Sequence, residues 1–261
     1  MPISGSEIIL YEKSNHIVTI TINRPERMNS ASFELIDRIA EAWIKFRDDD
    51  DAWVAILTGT GDKAFCAGFD LLDQADRGSS ANTGPIKIRP SSPKTLNIWK
   101  PVIAAINGFA VAGGFWIAHD CDIRIAADHA YFGIAETRWN MPAFWVYDLT
   151  RQLSLAHALE IALWGDAKLT AQRGYEIGWI NRVVPKEKLM EEALSWAERM
   201  LYLAPRCVRN LKEIIYRGSH LPPSEALAFA QALEQNLVGM EDSLEGPKAF
   251  FEKRKPVFKN K

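Results

Sequence analysis

The chain has 261 residues, 48% hydrophobic and 25% charged, with a formal net charge of -2, which provides for one sizeable core with or without an appended region. The small net charge argues against a nucleic-acid partner, and no apolar run is long enough to span a membrane. The three scattered cysteines lack metal-site spacing and the first residues lack a secretory pattern, so we expect a cytoplasmic protein in a reducing compartment.

Predicted strands and helices alternate over the first part of the chain. The β-branched run Ile17–Ile22 predicts a strand that ends before Pro25, because proline removes a backbone donor. Apolar residues at helical spacing predict a helix over Phe33–Phe46. This alternation favours a layered α/β core. Further predicted strands are Trp53–Thr58, Val102–Ile106, Ile123–Ala127, Ala130–Gly133 and Trp179–Val184.

Two segments inside this region have a different character. Ala64–Leu71 is short, apolar and bent at Gly68. Residues 74–94 are rich in glycine, serine, proline and charge without a clear period. Long irregular segments of this kind tend to be functional or disordered, and whether this one closes over a substrate stays open.

The remainder of the chain is almost purely helical. Prolines lie at or near several of the predicted helix starts, where a missing N–H costs little. We expect a core over residues 1–200 and a helical C-terminal region over residues 201–261. The predicted helices are Leu153–Trp164, Ala171–Ile177, Lys186–Leu203, Arg206–Arg217, Ser224–Val238 and Asp242–Lys255.

The stretch Ile103–Asp122 combines a buried strand, a glycine-rich turn and the start of a helix. Its turn passes through Ala112, Gly113 and Gly114. Backbone N–H groups at a helix N-terminus favour a negative oxygen, and glycine lets a ligand approach them closely. The stretch is therefore a candidate anion-stabilising site, with a tight turn between packed elements as the alternative.

Seven motifs follow one another along nearly the whole chain, and in this order they resemble the crotonase, or enoyl-CoA hydratase/isomerase, superfamily. The resemblance implies a spiral of ββα turns and an acyl-CoA thioester as substrate, with no metal and no cofactor besides that CoA. The motifs are INRPERMNS at Ile22–Ser30, AFCAGFDL at Ala64–Leu71, KPVIAAINGFAVAGG at Lys100–Gly114, CDIRIAA at Cys121–Ala127, FGIAE at Phe132–Glu136, GYEIGWINRVVP at Gly174–Pro185 and FFEKRKPVFK at Phe250–Lys259.

The resemblance assigns an oxyanion hole to the backbone N–H groups of Phe69 and Gly113. Hydratases of the family commonly use two glutamates, of which Glu136 matches the second. Trp116, preceded by Phe115, occupies the position of the first. Trp116 either holds water or a substrate group through its indole N–H, or fills the space of the missing acid. Apolar neighbours of Glu136 predict desolvation, which raises a carboxyl pKa towards the range useful for proton transfer.

A single carboxyl group leaves more than one reaction open. It serves hydration of a 2-enoyl-CoA by relaying one proton, as in the similar hydroxycinnamoyl-CoA hydratase-lyases, which also carry a tryptophan near the position of Trp139. It serves a Δ3,Δ2-enoyl-CoA isomerase more simply, and a non-catalytic acyl-CoA-binding protein needs no base. We place hydration first, with Phe115, Trp116 and Trp139 as a pocket for a bulky, cyclic or aromatic acyl group.

The resemblance also implies where CoA binds and how the chain assembles. It implies that the chain forms homotrimers or dimers of trimers, with the C-terminal region serving assembly and covering CoA. Glu26 replaces a lysine common in the family, which leaves one charge contact with CoA open, and Arg27 or Arg24 is the candidate to compensate. His119 is expected to be structural. The CoA-binding candidates are Arg27, Met28, Ala67, Asp70 and Leu71, with Phe250 and Lys253 reaching CoA from a neighbouring subunit.

Overall fold

The computed structural model describes residues 7–76, 90–141, 143–165 and 168–261. The strands are β1 Ile9–Ser14, β2 Ile17–Ile22, β3 Val54–Gly59, β4 Ala64–Cys66, β5 Val102–Ile106, β6 Phe109–Val111, β7 Ile123–Ala127, β8 Tyr131–Gly133, β9 Leu169–Thr170 and β10 Arg182–Val184. The α-helices are α1 Phe33–Asp48, α2 Leu71–Asp76, α3 Gly113–His119, α4 Leu155–Leu163, α5 Ala171–Glu176, α6 Leu189–Met200, α7 Pro205–Gly218, α8 Pro223–Glu234 and α9 Asp242–Phe251.

The chain winds between two sheets. The larger sheet has the order β1-β2-β3-β5-β7-β10 and the smaller one has the order β4-β6-β8-β9. The pairs β3 and β4, β5 and β6, and β7 and β8 each send one strand to the larger sheet and the next to the smaller sheet. The pairing is parallel except at β1 and β9, which lie at sheet edges. Successive turns therefore stack their strands in register.

Both faces of the larger sheet are buried, which explains the continuous apolar runs of its strands. On one face, Val54 and Ile56 of β3 belong to a cluster that includes Leu189 of α6. On the other face, Leu57 of β3 shares a cluster with Trp43 of α1. Full burial of an apolar side chain of this size contributes about 1.5–3 kcal/mol. Ser32 begins α1 by accepting a hydrogen bond from the N–H of Leu35 at 3.1 Å.

The predicted α/β class is confirmed, with differences in several elements. No strand is predicted at Ile9–Ser14 or Phe109–Val111, yet both are present. The first is an edge strand with an exposed second half, and the second is only three residues long and depends on distant strands for its partners. The predicted strand Trp179–Val184 is shorter because Ile180 donates to the carbonyl of Gly174 at 3.0 Å, beyond the end of α5.

The division into a core and a C-terminal region at residue 200 remains a prediction. Among the described residues, no helix is both long enough and apolar enough to cross a bilayer. The suggestion that residues 74–94 cover the site falls largely on residues 77–89, outside the described residues.

Candidate active site

Three neighbouring parallel strands of the smaller sheet end at the same edge. Phe69 follows β4, Gly113 follows β6, and Glu136 follows β8, each within three residues of the strand end. The carboxyl ends of parallel strands are where open α/β sheets bind ligands. The fold thus brings together the three groups that the sequence predicts to be catalytic.

The backbone of Phe69 leaves its N–H without an internal partner. Ala31 makes both hydrogen bonds of a short parallel bridge, donating to the carbonyl of Gly68 at 2.8 Å and accepting from the N–H of Asp70 at 3.1 Å. Because successive peptide groups of extended backbone point in opposite directions, the N–H of Phe69 points away from Ala31. Within the described ranges it has no protein acceptor.

The N–H of Gly113 lies in the first turn of α3. The first hydrogen bond of this helix runs from the N–H of Trp116 to the carbonyl of Ala112 at 3.1 Å, so the N–H of Gly113 has no helical partner. Nor does it find another acceptor in the part of the chain that the structure describes. Two free N–H groups thus lie on adjoining segments, since a side chain at Gly113 would meet the ring of Phe69 at 3.1 Å.

Two glycines allow this close packing. Gly68 has a φ of +93°, which a side chain would strain, and an added Cβ would lie 3.5 Å from the nitrogen of Gly113. At Gly114 an added Cβ would overlap the carbonyl oxygen of Cys66. The start of α3 therefore contacts the end of β4 directly, backbone against backbone.

Glu136 has a carboxyl group that is held away from water. It opens a 3-10 turn, Glu136–Arg138, and is 4% exposed. Neither carboxyl oxygen has a hydrogen-bond partner among the described residues. Burial raises its pKa to about 7, with smaller opposing effects from its own backbone and from Trp145. At neutral pH the group is therefore able both to accept and to donate a proton.

The three predicted pocket residues lie in different surroundings. Trp116 is 8% exposed and meets the ring of Phe144 edge-on. Trp139 is 58% exposed, beside the guanidinium of Arg138. Phe115 is fully buried and stacks on Trp179 with centroids 4.2 Å apart. A contact between Phe115 and substrate would need one of its covering residues to move.

A buried polar network lies behind the site, at the far end of α3. Its centre is Asp148, which contacts Lys94 at 2.5 Å and Arg151 at 3.0 Å. His119 is fully buried, as expected of a structural residue, and accepts a hydrogen bond from the indole of Trp179 at 3.2 Å. The sequence analysis did not foresee this network, although Trp145 and Asp148 are three residues apart in one aromatic segment.

The predicted CoA-binding residues form two groups. Arg27 is exposed, Leu71 is 44% exposed, and Ala67 donates to the carbonyl of Met28 at 3.1 Å. These residues adjoin the Phe69 segment. Phe250 and Lys253 lie near the C-terminal end of α9, where Phe250 is 80% exposed.

The Asp70 carboxylate makes an ion pair and hydrogen bonds within the chain. It pairs with Arg24 at 3.1 Å, accepts from the hydroxyl of Ser30 at 3.3 Å, and accepts from the N–H of Leu72 at 3.2 Å. These contacts join the Asn23–Pro25 turn to the start of α2, so the side chain has a structural task. Its role towards CoA stays a prediction.

A cleft of about 1100 Å³ lies elsewhere, between the core and α7, and it contains none of Phe69, Gly113 and Glu136. It is lined in part by Lys94, Asp148 and Tyr216. Across the described ranges, no cluster of His, Cys, Asp and Glu is arranged to hold a metal ion. The chemistry available at the strand ends is therefore one buried carboxyl group next to two backbone donors.

The winding strands and the site at the ends of β4, β6 and β8 define an enzyme of the crotonase fold. Residues 12–261 match the family described as Enoyl-CoA hydratase/isomerase, and the chain belongs to this family. A solved structure of an enoyl-CoA hydratase/isomerase from Mycobacterium paratuberculosis has a TM-score of 0.88 at 31% identity, covering 98% of this chain and 99% of that chain. The predicted family and crotonase-like fold are thereby confirmed.

Two relatives carry hydration or dehydration in their names. The (E)-benzylidenesuccinyl-CoA hydratase of Thauera aromatica is 35% identical over 96% of this chain and 98% of that protein. The carnitinyl-CoA dehydratase of Salmonella typhi is 34% identical over 98% of this chain and 100% of that protein.

Proposed function

We propose that this enzyme catalyses the reversible hydration of a 2-enoyl-CoA thioester. The observation that carries the proposal is the buried carboxyl group of Glu136, with a pKa raised to about 7, at the same sheet edge as the N–H groups of Phe69 and Gly113. Among the residues that the structure describes, neither the carboxyl oxygens nor these two N–H groups have a hydrogen-bond partner. Relatives named hydratase and dehydratase, about one third identical over nearly the whole chain, support this type of reaction.

In the proposed reaction Glu136 acts first as a base and then as an acid. Its carboxylate takes a proton from water, and the hydroxide bonds to C3 of the acyl chain as the C2–C3 double bond becomes an enolate. The enolate oxygen is held by the N–H groups of Phe69 and Gly113, where one such donor is typically worth about 10²–10³ in rate. The Glu136 carboxyl then gives the same proton to C2, which regenerates the carboxylate and leaves the hydroxyacyl-CoA.

We propose further that the acyl group is aromatic or otherwise flat and bulky. Trp116 and Phe144 form an aromatic pair, and Trp139 is an exposed aromatic side chain three residues after Glu136. Flat unsaturated groups stack favourably on such side chains. The name of the relative from Thauera aromatica, which includes a benzylidene group, supports the same direction.

The proposal also covers where CoA binds and how the subunits associate. The turn at Arg27 and Met28, with Ala67 and Leu71, is proposed to receive the CoA of the same chain. The exposed apolar side chains of Phe250, Phe251 and Leu244 on α9, each at least 75% exposed, support a role of this helix in contacts between subunits. We propose a homotrimer or a dimer of trimers in the cytoplasm, with Phe250 and Lys253 approaching the CoA of a neighbouring subunit.

A Δ3,Δ2-enoyl-CoA isomerase is the second candidate, favoured by one observation. Trp116 takes the helix position where a second acid is expected, and Glu136 alone suffices to move a proton between C2 and C4. An isomerase would exchange solvent protons or shift the double bond without adding water.

The test is an assay of purified protein in deuterated water, followed by mass spectrometry of the products. The substrates are crotonyl-CoA, cinnamoyl-CoA and a 3-enoyl-CoA. We expect cinnamoyl-CoA to gain the mass of one water, faster than crotonyl-CoA. Deuterium uptake without water would favour the isomerase. CoA-ester binding without either change would contradict both reactions and favour a binding protein.

A further inference from the structure

The 3-10 segment Phe144–Arg151, which we term the covering segment, packs against Trp116 and Phe115 of α3. Phe144 meets Trp116 edge-on with centroids 5.3 Å apart. Trp145 is 4% exposed and stacks on Phe115 at 5.7 Å. It lies close enough to the Glu136 carboxyl to lower the pKa of that group, against the larger effect of burial. The covering segment therefore places a buried side chain, Trp145, near the buried carboxyl of Glu136.

Asp148 anchors this segment from the same side as Trp145. Side chains three residues apart in a 3-10 helix eclipse one another, so Trp145 and Asp148 both point inward. The Asp148 carboxylate contacts Lys94 at 2.5 Å and faces the Nε2 of His119 at 3.4 Å. Its third contact, Arg151 at 3.0 Å, lies on the covering segment itself.

The hydrogen bond from Trp179 fixes the form of His119. An indole N–H only donates, so the Nδ1 of His119 is the acceptor and the ring proton lies on Nε2, facing Asp148. Burial lowers the His119 pKa to about 4, so the ring is neutral at pH 7. Burial opposes ionisation of Asp148, but the Lys94 ammonium and the facing His119 ring outweigh it and hold the pKa of Asp148 well below its usual range. Asp148 is therefore ionised at pH 7, with the Lys94 ammonium on one side and the Nε2–H of His119 on the other.

We propose that Asp148 is a positioning residue, which holds the covering segment on His119 and Lys94 so that Trp145 stays over Glu136 and excludes water from its carboxyl. This inference rests on the proposed function, in which Glu136 moves the proton. Asp148 itself does not touch the reacting atoms. It acts at a distance, through the backbone of the segment it anchors.

A direct effect of charge and the loss of the anchor predict opposite changes in the Glu136 pKa when Lys94 is neutralised. The groups facing Asp148 are Lys94, His119 and Arg151, with Asp120 beyond Lys94 at 3.4 Å. No charged side chain among the described residues contributes to the pKa of Glu136, which follows burial. A direct field would lower the Glu136 pKa when Asp148 is neutralised and raise it when Lys94 is neutralised. Loss of the anchor would lower it in both cases, because water would reach the carboxyl and burial has a larger effect on this pKa than the opposing contact with Trp145.

The experiment is a titration of Glu136 by NMR on protein labelled with 13C at the glutamate carboxyl. The Glu136→Gln protein assigns the resonance, and Asp128→Asn, which removes an exposed acid elsewhere, is the matched control. We expect a midpoint near 7 in the wild type and the control. In both Asp148→Asn and Lys94→Met we expect the midpoint to fall by about one pH unit or more.

Two outcomes would overturn the proposal. One is a midpoint that stays at the wild-type value in both variants. The other is a fall in Asp148→Asn with a rise in Lys94→Met, which would assign the effect to charge. Thermal unfolding of each variant checks that it is folded, and Lys94→Met leaves the test in place if Asp148→Asn does not fold.

The titration needs no substrate, so it separates this inference from the proposed function. If the midpoints fall as expected but no form hydrates an enoyl-CoA, the proposed function is wrong and the positioning role stands. If the wild type hydrates the substrate and the Glu136 midpoint is the same in the variants as in the wild type, the proposed function stands and the positioning role is wrong. Where both hold, the acid limb of kcat/KM shifts with the NMR midpoint.

Discussion

The indole of Trp116 meets the ring of Phe144 edge-on, with centroids 5.3 Å apart and planes at 80°. Trp116 lies one helical turn beyond Gly113, at the position where family hydratases commonly carry an acid. The Trp116 ring is 8% exposed and fills the space beside Phe144, on the helix that begins at Gly113. Two substitutions of similar size, Trp116→Glu and Trp116→Gln, separate the effect of removing the ring from the effect of adding a charge.

Replacing Trp116 with glutamate should open this space and add a second carboxyl. We expect Trp116→Glu to raise kcat/KM for crotonyl-CoA hydration by at least about tenfold, since a positioned acid or base typically contributes about 10²–10⁴. Trp116→Gln is the control, because it opens the same space without a titratable group. No gain in the glutamate variant would mean that Trp116 has a task of its own.

Glu136→Gln should remove turnover and leave binding in place. The amide keeps the shape of the side chain but cannot accept the proton, so we expect kcat to fall by at least about 10². Calorimetry with a CoA ester should give a dissociation constant within about threefold of the wild type. Glu160→Gln, which changes an exposed glutamate, is the control. Activity retained within tenfold would contradict the assignment of Glu136.

The same carboxyl should make stability depend on pH. Its pKa is raised from 4.5 to about 7 in the folded protein, so the folded state holds the proton more tightly than the unfolded state. The free energy of unfolding should therefore fall as the pH rises from about 4.5 to 7, by up to about 3 kcal/mol from this group. Denaturant unfolding measures it as the difference between wild type and Glu136→Gln. A difference that stays constant from pH 5 to pH 8 would contradict the raised pKa.

Activity should follow the ionised form of Glu136. Hydration and dehydration both begin with proton removal, from water in one direction and from C2 in the other. We expect kcat/KM to drop about tenfold per pH unit below about 7 in both directions. An acid limb near 4.5, the ordinary value for a glutamate, would show that the carboxyl is hydrated in the working enzyme.

Ala112 carries backbone strain next to the N–H of Gly113. Its φ of +51° and ψ of -125° lie in a region that glycine adopts freely and alanine does not. We expect Ala112→Gly to raise the free energy of unfolding by about 1 kcal/mol. Ala118→Gly, in the regular part of α3, should instead cost about 1 kcal/mol. Loss of stability in both variants would show that Ala112 is not strained.

The sequence predicts those parts of the molecule that depend on local pattern. The buried strands at Val102–Ile106 and Ile123–Ala127 have continuous apolar runs, and the structure places them as predicted. Phe69, Gly113 and Glu136 were singled out through motif order, and the topology brings their strand ends to one edge. Their catalytic roles remain predictions.

Contacts between segments that are distant in the chain could not be predicted from local sequence patterns. The covering segment Phe144–Arg151 is a 3-10 helix, and its anchor Lys94 lies far away in the chain. The partner of His119, Trp179, is equally remote. Such pairs follow from how the turns of the spiral stack, which no local pattern encodes.

The placement of the three strand ends also separates chemistry from selectivity along the chain. Phe69, Gly113 and Glu136 lie on consecutive turns, and the aromatic covering segment begins only after the last of them. Exchanging residues 143–151 between relatives, with Trp145 and Asp148 kept, would therefore leave the groups that handle the enolate untouched. We expect such chimeras to inherit the substrate preference of the donor and the reaction of the recipient.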